Sequence, residues 1–175
     1  MSATPAVASF APVFRADATV LVLGSVPGEA SLRAAAYYAH PRNAFWPVVA
    51  AVYRFDAAAP YGERVAALVD ARVALWDVVH TCERPGSLDA AIVTASVVAN
   101  DIAGLLVAAP AIDRIVLNGQ TAAMLFRRHA AAAVAERLGQ RRVRVVVAPS
   151  TSPAHAARTF DAKLAVWRDA LRGDG

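Results

Sequence analysis

Thr19–Leu23 reads TVLVL and runs directly into Gly24-Ser25-Val26-Pro27-Gly28. A continuous apolar run of this length predicts a fully buried parallel strand, and a Gly/Pro/Gly turn at its end predicts the strand-to-helix junction where α/β proteins place ligands. Glycine there lets a ligand approach the backbone amides closely. The junction is not a P-loop, because no Gly-Lys-Ser/Thr follows, and it fails G-x-G-x-x-G, which argues against a nucleotide cofactor. Taken alone it reads first as an ordinary strand–helix turn, because a single short motif carries a high false-positive risk.

The rest of the chain alternates strand and helix signals without internal repeats. The spacing of Phe45, Val48, Val49 and Val52 predicts a helix over Phe45–Phe55 with Pro47 in its first turn, and Gly62–Asp70 predicts another. Val73–Val79 predicts a second strand, Pro85-Gly86-Ser87 a loop, and Asn100 or Asp101 the cap of a helix reaching Ala108. Arg114–Leu117 predicts a third strand ending at Asn118-Gly119, and Thr121–Ala133 the helix after it. Val143–Val147 predicts the fourth strand, and Ser152-Pro153 the opening of a long terminal helix to Leu171. Four short strands joined by helices predict one domain over 1–175, a three-layer α/β/α fold around a four-stranded, mainly parallel sheet. In that layout Gly24–Gly28, Asp77–Arg84, Asn118–Gly119 and Pro149–Ala154 all follow strand C-termini and converge on one crevice.

Shortly after the first turn, ten residues hold Tyr37, Tyr38, His40, Arg42, Asn43 and Trp46. Such a set is costly to hide in a core and suited to stacking on a flat ring while hydrogen-bonding its edges. Together with the turn, the pattern GS-x-PG-x-x-SL…YYAHPRN-x-FWP resembles motif one of the uracil-DNA glycosylase superfamily, in the form of its hypoxanthine-DNA glycosylase (DNA-deoxyinosine glycosylase) branch. The resemblance continues in order through LWDVVHTCERPGSLD (75–89), NDI (100–102), LNGQTA (117–122) and PSTSPA (149–154).

That resemblance implies a monofunctional DNA glycosylase of base excision repair that hydrolyses the N-glycosidic bond of deaminated bases, hypoxanthine first and uracil as the alternative, with no metal or cofactor. It implies that Gly24, Val26, Pro27 and Gly28 border the extruded base and that Tyr38 stacks on it. Asp77 either reads the edge of the base or merely orients Arg84 or a loop amide, and Asn118 either supports the same pocket or supplies the left-handed turn before Gly119. His40, Arg42, Ser150, Thr151, Ser152 and His155 are the expected DNA contacts, His155 lying on the first turn of the terminal helix. The chain departs from its relatives at two polar positions: Val26 stands where many carry Asp or Asn, and Ala148 where several carry His. The resemblance nominates Asn43, in HPRN, as the catalytic residue, with Ser25 the next candidate, although Asn43 is also a natural N-cap for the helix that follows. The missing polar groups leave a non-catalytic lesion-binding module as a competing reading. An esterase reading through Ser150 and His155 lacks the G-x-S-x-G elbow.

Composition bounds the remaining classes. The chain has 175 residues, 57% of them hydrophobic, enough for one substantial core. One cysteine, Cys82, excludes an internal disulfide framework or a cysteine-ligated cluster within one chain. Net charge is +4, with every basic residue except Lys163 an arginine, which permits phosphate binding without requiring it. Lys163 is expected in the last helix, away from the strand-end motifs, so a Schiff-base lyase step is not expected. The N-terminal stretch lacks the features of a signal peptide and no segment has membrane-span length, so the expectation is a cytoplasmic protein, monomeric, with DNA carrying deaminated bases as its partner and no membrane.

Overall fold

The computed structural model describes residues 6–173, so the reading of the extreme N-terminus falls partly outside the described residues. In chain order the elements are β1 (Ala6–Ala8), β2 (Val20–Gly24), α1 (Glu29–Ala34), α2 (Phe45–Tyr53), α3 (Tyr61–Asp70), β3 (Val73–Asp77), β4 (Val79–Glu83) and β5 (Val98–Ala99). They continue with α4 (Ile102–Ala108), β6 (Arg114–Asn118), α5 (Gln120–His129), α6 (Ala131–Leu138), β7 (Arg144–Ala148) and α7 (Phe160–Arg172).

β2 is buried at every position, and its amides and carbonyls are satisfied by parallel partners on both sides. β3 pairs with one edge and β6 with the other, and β7 extends the sheet beyond β6 in the order β3-β2-β6-β7. Alternation along β2 sends Leu21 and Leu23 into one core with Ile115, Leu117, Leu106 and Phe126. Val20 and Val22 enter the other with Val116, Phe45, Val49 and Trp167. Each core is capped by helices, α4 to α6 on the first face and α2, α3 and α7 on the second, which gives the three layers. Burying a side chain of the size of Phe45 stabilises the fold by roughly 1.5–3 kcal/mol.

The chain steps outward from β2 to β3, then returns across the sheet to β6 on the opposite side of β2. Strand order therefore reverses between β2 and β6, and crevices for ligands in open α/β sheets lie outside the carboxyl ends of strands at such a reversal. Gly24 and Asn118, the last residues of those two strands, mark the place.

Three local expectations are corrected. The strand predicted over Val73–Val79 divides at Val78, because the Val78 and Val79 amides donate to the Gly24 and Ser25 carbonyls (2.8 and 3.0 Å) and pull the chain across the end of β2. β4 then builds a separate antiparallel sheet, β1-β4-β5. The helix predicted over Thr121–Ala133 is two helices broken at Ala130; Arg127, Arg128 and His129 close α5 with the basic residues that favour a helix C-terminus. The terminal helix begins at Phe160, not at Ser152-Pro153. Ser152 spends its hydroxyl oxygen on the Ala154 amide in an isolated turn (3.3 Å), while Thr159 caps α7 by accepting from the Ala162 amide (3.3 Å) with Asp161 in the first turn. Residues 149–159 are consequently a loop, and His155 is an exposed loop residue.

Candidate active site

A cavity of about 760 Å3 opens at the strand-order reversal. Its walls are the turn Gly24–Gly28, the Tyr37–Asn43 segment, the loop Ser87–Ala90, Asn118 and the loop Ser150–His155. The ends of β2, β6 and β7 thus contribute to one concavity, as expected, whereas no residue of Asp77–Arg84 is among its lining and the loop Ser87–Ala90 stands there instead.

Gly24 is required at its floor. A Cβ there would lie 2.5 Å from Asp77 Oδ1 and 2.8 Å from the Tyr38 hydroxyl, so both oxygens converge on the space a side chain would occupy. Asp77, the last residue of β3, is 4% exposed, and its Oδ2 is buried without a hydrogen-bond partner. Desolvation, reinforced by the negative charge of Asp89 and only partly offset by Arg84, pushes its pKa up to about 7. Arg84 is not held by Asp77. Its Nε and Nη2 donate to the Gly86 and Pro27 carbonyls (3.0 and 2.8 Å), clamping the 84–89 loop against the first turn.

Tyr38 has φ +55, an uncommon conformation for a bulky residue. Two contacts hold it: the ring stacks on Phe45 with centroids 4.1 Å apart, and its hydroxyl accepts from Asn118 Nδ2 at 3.1 Å. One ring face is thereby covered while the residue still lines the cavity. Burial raises the phenol pKa, with the Asp77 charge adding to it, so the hydroxyl keeps its proton to donate. Asn118 uses the rest of its amide on Thr151, donating to Oγ1 (2.9 Å) and accepting from the backbone amide (3.0 Å). The left-handed residue of that turn is Gly119, at φ +94.

Val26 is buried and brings no polar group. The adjacent Ser25 donates from Oγ to Asp89 Oδ2 at 2.8 Å. Asp89 opens a 3₁₀ turn, Asp89–Ala91, and lines the cavity. Burial raises its pKa, against the Ser25 hydrogen bond and the charges of Arg84 and His155. Sequence reasoning did not single out Asp89. Its signal was the ERPGSLD block itself, since an arginine able to fold that loop onto the first turn sits five residues before the carboxylate.

Asn43 does cap: its Oδ1 accepts from the Phe45 amide at 2.9 Å, one residue ahead of the cap position at Ala44. With Oδ1 engaged, the Nδ2 donors are the free end of the amide, and Asn43 borders the cavity. His40 accepts the Arg42 amide on Nδ1 (3.1 Å), which leaves Nε2 as the donor, and Arg42 is exposed.

In the 149–159 loop, Thr151 is 1% exposed and fastens the loop from within, so it offers no surface to a phosphate. Ser150 and Ser152 are half-buried, each accepting a backbone amide on its oxygen while keeping a hydroxyl hydrogen to donate. Lys163, expected to stand clear of the motifs, instead lies largely buried and donates from Nζ to the His155 carbonyl (2.9 Å), anchoring this loop. Burial lowers its pKa. Among the described residues, no three His, Cys, Asp or Glu side chains form a group that could hold a metal ion.

Comparison with known proteins agrees with this geometry. The family model described as the uracil DNA glycosylase superfamily matches residues 11–171. Two proteins named hypoxanthine DNA glycosylase are each 33% identical to the chain: one from Methanosarcina barkeri over 112 residues (63% of this chain, 70% of that protein), the other from Methanosarcina acetivorans over 114 (65% and 71%). A solution NMR structure of a Methanosarcina acetivorans protein, described as a uracil DNA glycosylase candidate, superposes with a TM-score of 0.78 at 26% identity, covering 97% of this chain and 98% of the other. With a family match that spans nearly all of the described residues and a cavity built from the same strand ends as the family's motifs, this chain belongs to the uracil DNA glycosylase superfamily.

Proposed function

We propose that the chain is a DNA glycosylase that releases hypoxanthine from DNA by hydrolysing the N-glycosidic bond of deoxyinosine. The observation that carries the reading is the convergence of a buried Asp77 carboxyl and the Tyr38 hydroxyl on Gly24, a residue of the cavity wall, beside a ring stacked on Phe45; Asp77 itself lies directly behind that wall. Hypoxanthine presents an N1–H donor next to a C6=O acceptor. A protonated Asp77 matches that edge with one acceptor and one donor, whereas a carboxylate matches only the N–H. Uracil presents the same pair of groups, so it is the second expected substrate, and the names of the curated relatives favour the purine.

The base must leave the stack to enter such a cavity, and a mispaired deaminated base leaves most cheaply. The free face of Tyr38 then stacks on it, worth about 1–3 kcal/mol by analogy with other base–aromatic contacts. As the C1′–N9 bond breaks, negative charge develops on the departing base and positive charge on the sugar. A neutral Asp77 donates to the first of these charges. Asp89, hydrogen-bonded to Ser25 on the cavity wall, is in this reading the carboxyl group that Val26 lacks: as a carboxylate it stabilises the cationic sugar and orients the attacking water with the Asn43 Nδ2 donors. His40, Arg42, Ser150, Ser152 and His155 rim the opening as the donors for the DNA backbone.

Incubation with a duplex oligonucleotide carrying one inosine should release free hypoxanthine, detected by mass spectrometry, and leave an alkali-labile site. A uracil oligonucleotide run in parallel ranks the two bases. Tight binding to inosine DNA with no release of base would overturn catalysis in favour of a lesion-binding module.

A further inference from the structure

Beside the main cavity lies a smaller cleft of about 280 Å3 that shares Tyr38, His40 and Asn43 with it. Its far wall is Trp46, the Ala57–Ala59 loop and Arg64 from the first turn of α3. The Arg64 guanidinium sits 4.8 Å over the Trp46 ring and 5.7 Å from the Tyr61 ring. That platform is rigid, because Trp46 is 2% exposed and its indole N–H donates to the Tyr37 carbonyl (2.9 Å).

Arg64 is unlike the other arginines that reach the interior. Arg114, Arg141 and Arg172 donate to backbone carbonyls of Leu171, Ile112 and Val52, and Arg84 to those of Pro27 and Gly86. Among the described residues the Arg64 guanidinium has no hydrogen bond and no ion pair; its Nε is buried without a partner, as are single nitrogens of Arg84 and Arg114, but those two guanidinia are anchored through their other nitrogens. The acidic groups on the neighbouring segments do not answer it: Asp56 accepts the Ala58 amide (2.8 Å), and Glu63 is exposed. A guanidinium held by its face on aromatic rings keeps its in-plane N–H donors free, and that planar fork fits the oxygens of a phosphate.

We infer that this cleft is a phosphodiester site, in which Arg64, seated on Trp46 and Tyr61, grips a backbone phosphate of the lesion strand next to the extruded nucleotide. The inference rests on the glycosylase reading, since a nucleotide lodged in the main cavity stays joined to its strand by phosphates on either side. The sharing of Tyr38, His40 and Asn43 places the cleft at that strand's exit.

The test is fluorescence anisotropy with a duplex carrying a tetrahydrofuran abasic analogue, which cannot turn over, across a series of KCl concentrations. Arg64→Met keeps the aliphatic packing and removes the charge. It should weaken binding about 10-fold and reduce the slope of log Kd on log salt by about 0.9, the signature of one lost phosphate contact. Undamaged duplex, in which no nucleotide is extruded, should show a smaller loss of slope, and Arg64→Lys should restore the slope on the abasic duplex. Arg64→Gln, a second neutral variant, carries the same expectation should Arg64→Met melt early. An unchanged slope in a neutral variant that melts like wild type sinks the assignment. Absence of hypoxanthine release by the wild type sinks the glycosylase reading instead, and the two failures are read in separate experiments.

Discussion

Asn43 holds two duties at the two ends of one amide, which makes them separable. Asn43→Ala removes both, and it should cut single-turnover excision by ~10²-fold or more while costing ~0.5–2 kcal/mol of stability. Asn43→Asp keeps the acceptor for the Phe45 amide and should recover the melting temperature. An Asn43→Ala enzyme that melts early yet cuts normally confines the residue to capping and passes the water to Ser25 and Asp89. Asp77 makes a prediction in pH. Its pKa rises from an ordinary 3.8 to about 7 in the fold, so the native state binds the proton more tightly than the unfolded chain. The associated stability is complete below about pH 4 and is lost as pH climbs through about 7, a difference on the order of 4 kcal/mol. Asp77→Asn should therefore raise the melting temperature at pH 8.5 far more than at pH 4. It should also flatten the fall in excision rate above pH 7, because an amide keeps one donor and one acceptor at any pH. A wild-type rate that stays level from pH 6 to 9 would falsify the neutral-acid role.

At the level of elements, the 149–159 loop is held by four ties: Asn118 to Thr151, the Ala44 amide to the Thr151 carbonyl (3.0 Å), Lys163 to the His155 carbonyl, and the Trp167 indole N–H to the Pro149 carbonyl (2.9 Å). Lys163→Met preserves α7 and removes the third tie. It should raise the KM for inosine DNA several-fold with a smaller change in kcat, and a normal KM would show the tie to be idle. Wild type should give no borohydride-trapped DNA adduct, since the Lys163 ammonium is engaged by the His155 carbonyl and lies outside the cavity wall. The strands were legible from their apolar runs, and so was their shared crevice, because glycine, proline and asparagine punctuate their ends. The start of α7 was not, because Ser152-Pro153 and Thr159 are both sound N-terminal signals and only tertiary ties decide between them. Asp89 was illegible for a related reason: nothing in GSLD marks the carboxylate until Arg84 folds that loop onto Pro27.

For the whole molecule, the sequence supported one layered α/β fold, while the antiparallel β1-β4-β5 sheet escaped because β1 has three residues and β5 two, too short to register a pattern. The donor inventory makes a further prediction: with no cluster of metal-binding side chains among the described residues, excision should proceed unchanged in EDTA. Loss of turnover restored by one divalent ion would overturn that. The dry, unpartnered acid at the end of β3 also carries an evolutionary consequence. Stability and chemistry ask for different residues at position 77, so a library sorted only for heat resistance above pH 8 should accumulate apolar side chains there, keeping the fold while shedding base recognition. Laboratory lineages selected that way would yield robust, silent descendants, and restoring Asp77 alone should return both the activity and the fragility.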